Sequence, residues 1–155
     1  MSNTIKTDVY MGYEIIFKIS TTGVGGEVNA TPNELLTVAV SIDDETVDWH
    51  AIRNKGFKTE LITGRTIKLN PTFKVAKDDP AAKYLIYQMQ NMGIKAMTDV
   101  SFTLPIGLKM DGSVTVKVVD PGTSAANEVP EAEVELTFVG LPTFTDTTEK
   151  ETVTE

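Results

Sequence analysis

The chain has 155 residues, carries 22 acidic side chains against 14 basic ones for a net charge of -8, and contains no cysteine. A chain of this size forms one domain and buries roughly 70% of its unfolded surface. With His50 as the only histidine and no thiol, it holds little from which to build a nucleophile-and-base pair or a metal cluster. The expectation is a protein that works through its surfaces, not an enzyme, with no cofactor and no metal. The apolar residues come in short runs, none approaching the ~20 needed for a membrane helix, so the chain is expected to be soluble with no membrane partner. The start, Met1-Ser2-Asn3-Thr4-Ile5-Lys6, lacks the apolar core of a signal peptide, which predicts synthesis in a cytoplasm without export.

In chain order, residues 10–19 read as a first strand. Residues 21–33 contain Gly23, Gly25, Gly26 and Pro32 and read as a loop. Gly23-Val24-Gly25-Gly26 lacks the Gly-Lys-Ser/Thr end of a phosphate loop, and Asn29-Ala30-Thr31 is a glycosylation sequon without a secretion signal to make use of it. A strand over residues 35–42 follows, with Leu36, Val38, Val40 and Ile42 at alternate positions. An acidic turn, Asp43-Asp44-Glu45, then leads into a second β-rich stretch, residues 46–52. Asp43, Asp44, Glu45 and Asp48 do not have EF-hand spacing and read as a solvated turn.

The segment over residues 43–64 is long for a connection in one domain, and it carries Trp49, Arg53, Lys55 and Lys58. It is expected to project from the body and touch a neighbouring copy, with Trp49, Arg53, Lys55, Lys58 and Arg65 as candidate contacts. His50 has no thiol or triad partner and suits packing or a subunit contact. Residues 66–75 alternate again, interrupted by Pro71, which predicts an edge strand or a bulge because proline donates nothing to a ladder.

One helix is expected, over about residues 80–92. Asp79 is suited to cap its first turn, Pro80 to open it and Gly93 to end it. Ala82, Leu85, Ile86, Met89 and Met92 recur at helical spacing and make a face to pack on a sheet; Lys83, Gln88, Gln90 and Asn91 are expected to face water. Core packing suits the methionines, although an adaptable groove is another use for them. Beyond the helix, Val100, Phe102 and Leu104 alternate with polar residues, Asp111-Gly112 reads as a hairpin turn, and Val114, Val116 and Val118 alternate in turn. After a loop over residues 120–130 the last strand sets Val134, Leu136 and Phe138 against Glu133 and Glu135. Residues 145–155 form an acidic Thr/Glu-rich tail with too little apolar surface to order itself, which divides the chain into a domain over 1–144 and a tail over 145–155.

Charge is unevenly distributed. Residues 53–77 hold seven basic side chains against Glu60, whereas residues 1–52 hold eight acids and two bases, and residues 120–155 hold nine acids and Lys150. Such an order allows identical copies to attract one another, basic middle to acidic end; solvated faces are the plainer reading.

The helix entry Asp-Asp-Pro-Ala-Ala-Lys-Tyr-Leu-Ile-Tyr-Gln-Met and the closing strand Ala-Glu-Val-Glu-Leu-Thr-Phe-Val-Gly-Leu-Pro-Thr-Phe, in this element order over residues 35–144, resemble the major tail tube proteins of long-tailed bacteriophages. Related tubes occur in type VI secretion and tail-like bacteriocins. The resemblance implies a mainly β fold, a two-sheet β-sandwich or open barrel with one flanking helix, whose copies form hexameric rings with a continuous inner β-barrel. It also implies stacking of those rings into a tube with an electronegative channel for DNA in transit during genome ejection, in a virion tail. Glu133 and Glu135 are the candidate channel-facing residues. The implied partners are further copies of the chain and other tail proteins: tape measure, tail terminator and baseplate or tip. The alternative from another class is a monomeric β-sandwich binding module, carbohydrate-binding or adhesin-like.

Overall fold

The computed structural model describes residues 14–147. Eight antiparallel strands and one α-helix are found among them: β1 (Ile16–Ser20), β2 (Val28–Ala30), β3 (Leu35–His50), β4 (Lys58–Lys74), α1 (Pro80–Tyr87), β5 (Met97–Thr103), β6 (Leu108–Asp120), β7 (Glu131–Phe138) and β8 (Thr143–Asp146). Residues 10–13 of the first expected strand and residues 148–155 of the acidic tail lie outside the described residues.

The strands form one continuous, unclosed sheet in the order β2-β1-β5-β6-β7-β4-β3, the open-barrel form of the expected mainly β fold with a single flanking helix. β8 pairs with residues 108–111 of β6 on the edge away from β5, and so continues the line of β7 beyond a break at Gly140-Leu141-Pro142.

Alternation with period two decides which way the sheet faces. Ala132, Val134, Leu136 and Phe138 of β7, Ile67, Leu69 and Phe73 of β4, and Val100 and Phe102 of β5 are buried in one core with Ala81, Ala82 and Leu85 of α1. Each of Phe17, Phe73, Phe102, Leu69, Leu85 and Leu136 is less than 2% exposed. Full burial of such a side chain contributes about 1.5–3 kcal/mol. The opposite face of the sheet is polar and half-open to solvent.

Two buried polar groups tie the ends of this core together. The Thr98 hydroxyl donates to the Ser20 carbonyl at 2.6 Å. Asp79, 3% exposed, accepts from the Ala82 amide at 3.4 Å to cap α1, and its other oxygen accepts from the Asn33 amide at 2.8 Å. One carboxylate thus fixes both the helix start and the loop before β3. Asp79→Ala is expected to cost about 2 kcal/mol, since it removes a cap and orphans a second amide. A urea midpoint within error of wild type would remove this role from Asp79.

The structure revises several local expectations. α1 ends at Tyr87 and passes into a 3-10 turn over Gln88–Gln90. Gln88 turns inward, 5% exposed, where its amide donates to the Tyr84 carbonyl at 3.2 Å and its oxygen accepts from Asn91 at 3.0 Å. With Gln88 occupying the inward position, Met89 and Met92 are left exposed, 65% and 87%. Gly93, left-handed with φ 66°, opens a second 3-10 turn and does not cap the helix.

Asp111-Gly112 makes no turn either, because β6 runs straight through it and the reversal lies at Pro105-Ile106-Gly107. A Cβ on Gly112 would stand 3.1 Å from the Phe138 ring, so the glycine provides room for an aromatic. Pro71 is buried on a strand that has neighbours on both sides. Pairing with β7 runs through Leu69↔Leu136 and resumes at Thr72↔Glu133, and a bulge lies across the ladder in β3 between Leu35 and Thr37. The missing proline donor is accommodated by that gap, not by an edge position.

Candidate assembly surface

β3 and β4 pair without a turn at Asp43-Asp44-Glu45, from Leu35↔Phe73 to His50↔Lys58, with a second bulge between Glu45 and Thr46 in addition to the one between Leu35 and Thr37. β7 accompanies β4 only from Lys74 to Lys68. From Lys68 to Lys58 the hairpin therefore leaves the sheet as a two-stranded arm about 30 Å long, from ten residues at ~3.3 Å each. Both its edges present unpaired amides and carbonyls. The chain reverses at the tip through a 3-10 turn, Ile52–Asn54, followed by Lys55 and Gly56 at φ 54° and 87°. The Asn54 side chain donates to the Thr59 hydroxyl at 3.0 Å and steadies that turn.

The arm is apolar where a solvated hairpin would be polar. Val47 pairs with Leu61 beside Trp49 on one face, and all three are exposed. Ile52 is 97% exposed and Phe57 77%, both at the tip. Contiguous exposed apolar surface of this kind marks an interaction site. Ile52 and Phe57 are not among the contacts expected from the sequence; their signal there is two large apolar residues flanking a Lys-Gly turn.

All five candidate contact residues sit on this arm, but their charges are not equally free. Arg65 makes a two-pronged bond to Asp44, Nε to Oδ1 at 2.6 Å and Nη2 to Oδ2 at 3.2 Å. The hydrogen bond to Arg65 holds the Asp44 carboxyl below its ordinary value, and the same bond raises the guanidinium of Arg65. By sign, the pairing is complete at neutral pH and is lost only on acidification below the usual carboxylate range. Both groups are solvent-facing, so the pair fixes the base of the arm more than it stabilises the fold. Lys58 lies 3.7 Å from Asp48. Arg53 and Lys55 have no ion-pair partner among the described residues.

Glu133 and Glu135 lie on the polar face of the sheet. Glu133 pairs with Thr72 and Asp120, and Glu135 with Lys117. By strand register the same face carries Lys18, Lys68, Lys74, Lys109 and Lys117 against Asp43, Glu45, Asp99, Asp111, Asp120, Glu131, Glu133 and Glu135. It is a face of interleaved charge with three more carboxylates than lysines. Asp99 also accepts from the Ser113 hydroxyl at 2.6 Å and from the Gly25 amide at 2.9 Å, which anchors the glycine loop to the sheet. That loop includes β2, a short strand at one end of the sheet, while the outer edge of β3 forms the other end.

No family model matches the chain, and no curated protein does. Solved structures do match. A chain in the tail of an empty gene transfer agent particle, refined helically with C6 symmetry, is 16% identical with a TM-score of 0.71, over 88% of this chain and 99% of that one. A chain in the virion of the native gene transfer agent particle is 15% identical, TM-score 0.63, over 88% and 99%. A chain from the terminating cap of the anti-feeding prophage tube is 12% identical, TM-score 0.55, over 94% and 96%. The fold is thus one shared with proteins of phage-like tails and tube caps, and this chain is tail-tube-like in its architecture.

Proposed function

We propose that this chain is a structural, non-catalytic subunit of a phage-type tail tube in a virion. In this reading six copies close a ring through their open sheet edges, rings stack, and the polar sheet face lines a channel for DNA. The observation that carries it is the likeness, over nearly the whole of both chains, to a protein from a C6-symmetric tail. The open edges support it, since a monomer normally covers such edges and an assembly uses them. So does the apolar arm, which calls for a partner surface. Contacts with a tape measure, a tail terminator and a baseplate or tip complete the proposal. Electron microscopy of the purified protein at high concentration tests it: tubes or six-fold rings are expected, and a strictly monomeric particle would point to the binding-module alternative.

A channel lined by interleaved charge with a small carboxylate surplus holds no extended basic track, so DNA phosphates meet no continuous site on which to stick. Replacing Glu133 and Glu135 with lysine turns the balance of this face positive while leaving the buried alternation untouched. The expected result is intact tubes that retain DNA in a salt-dependent manner and, in a virion, normal tail length with slowed genome ejection. Unchanged ejection kinetics would reject the channel role of these two residues.

A further inference from the structure

The arm tip has a complement on this same chain, at the far end of the same strand. β4 runs unbroken from Lys58 at the tip to Lys74, where it pairs with Glu131 at the start of β7. The β6–β7 loop closes this end, and there Asp120, Glu128 and Glu131, three carboxylates against the single cation Lys74, line a cleft of about 530 Å³ that also exposes Val129. Asp120 accepts from the Gly122 amide at 2.9 Å, and the Glu128 carbonyl accepts from the Ser124 hydroxyl at 3.3 Å, so the loop has internal structure. None of the three carboxylates has an ion pair among the described residues, and neither do Arg53 and Lys55 at the opposite end.

We infer that the acidic cleft of the β6–β7 loop is the receptor for the arm tip of a second copy, with Arg53 and Lys55 facing Glu128 and Glu131, and Ile52 and Phe57 set against Val129. The inference rests on the tail-tube reading and specifies its ring-to-ring contact. The two surfaces lie at opposite ends of one strand, so the contact is head-to-tail: a copy that receives one tip still offers its own, and growth continues without closing. Unpaired charges of opposite sign also steer the encounter and fix which end meets which.

The test places a photo-crosslinking residue at position 55 of the full chain and maps adducts by mass spectrometry in assembling protein. Adducts within residues 120–131 of another copy are expected. Tubes whose adducts map elsewhere overturn the receptor assignment alone, and a chain that stays monomeric overturns it together with the tube reading. Charge exchange supplies a second readout. R53E/K55E and E128K/E131Q are each expected to slow elongation roughly tenfold or more, and the four changes combined to restore most of the rate. If all three variants keep the wild-type circular dichroism and the combined variant assembles no faster than the separate ones, the pairing is wrong.

Discussion

Deleting residues 53–58 is expected to leave a folded protein that makes no tubes. The deletion joins Ile52 to Thr59 just beyond the Trp49↔Thr59 pair, so His50-Ala51-Ile52 remains as a three-residue connection of the kind hairpins accept. No core residue lies in this region, because the buried positions of β4 begin at Ile67. Thermal stability should therefore stay within about 0.5 kcal/mol of wild type, as for other changes remote from the core. Lost with the segment are Arg53, Lys55, Lys58 and Phe57, the basic and apolar groups that reach furthest from the body. Under the proposed contact, the critical concentration for tube growth should rise by a factor of ~100 or more, given that one or two desolvated anchors commonly carry several kcal/mol of an interface. Light scattering and microscopy of the two proteins at matched concentration read this out, and normal tubes from the shortened chain would end the arm's role in assembly.

The largest expected effect on folding comes from Gly112→Val. Any Cβ at this position meets Phe138 Cδ1 at 3.1 Å and Cε1 at 3.2 Å, with the Pro142 backbone 3.5 Å away on the same side. Phe138 is itself packed in the core, 6% exposed, and has little room to withdraw. Valine's two methyl groups aggravate the collision, and overpacking of this kind costs about 3 kcal/mol at the upper end of its usual range. In a domain of this size that corresponds to a fall in Tm of roughly 10 °C. Combining it with Phe138→Leu should recover part of the loss, because the smaller side chain vacates the contested space. An unaltered melting temperature for Gly112→Val would mean that the strand shifts freely at this point.

The same glycine shows where sequence reasoning stops. Asp-Gly between alternating runs has the local chemistry of a tight turn, and only the approach of Phe138, 26 residues later in the chain, makes it a straight position in β6. Gln88 misleads in the same way: a polar residue at a helical position is assigned to solvent until Tyr84 and Asn91 are found satisfying its amide inside. Asp43-Asp44-Glu45 reads as a turn because acidic runs are poor strand formers, yet Arg65 across the ladder neutralises Asp44 and the strand continues.

What was legible rests on short-range rules. The period-two burial of β4, β5 and β7, the Asp79-Pro80 helix start and the projecting character of residues 43–64 follow from local spacing and length. The arm's chemical nature was legible only in part, through Trp49 and the basic residues. Ile52 and Phe57 have the ordinary look of core side chains until the topology leaves nothing to cover them.

β4 has one more consequence, which is mechanical. A single strand of 17 residues runs from the arm tip to the opposite end of the molecule. A pull applied between those two ends is borne along its backbone and loads the ladders to β3 and β7 in shear, so their hydrogen bonds resist together instead of opening one after another. Subunits joined tip to cleft would place such strands in series along a filament, so that tension passes from one strand to the next through the tip turn of one copy and the β6–β7 loop of its neighbour.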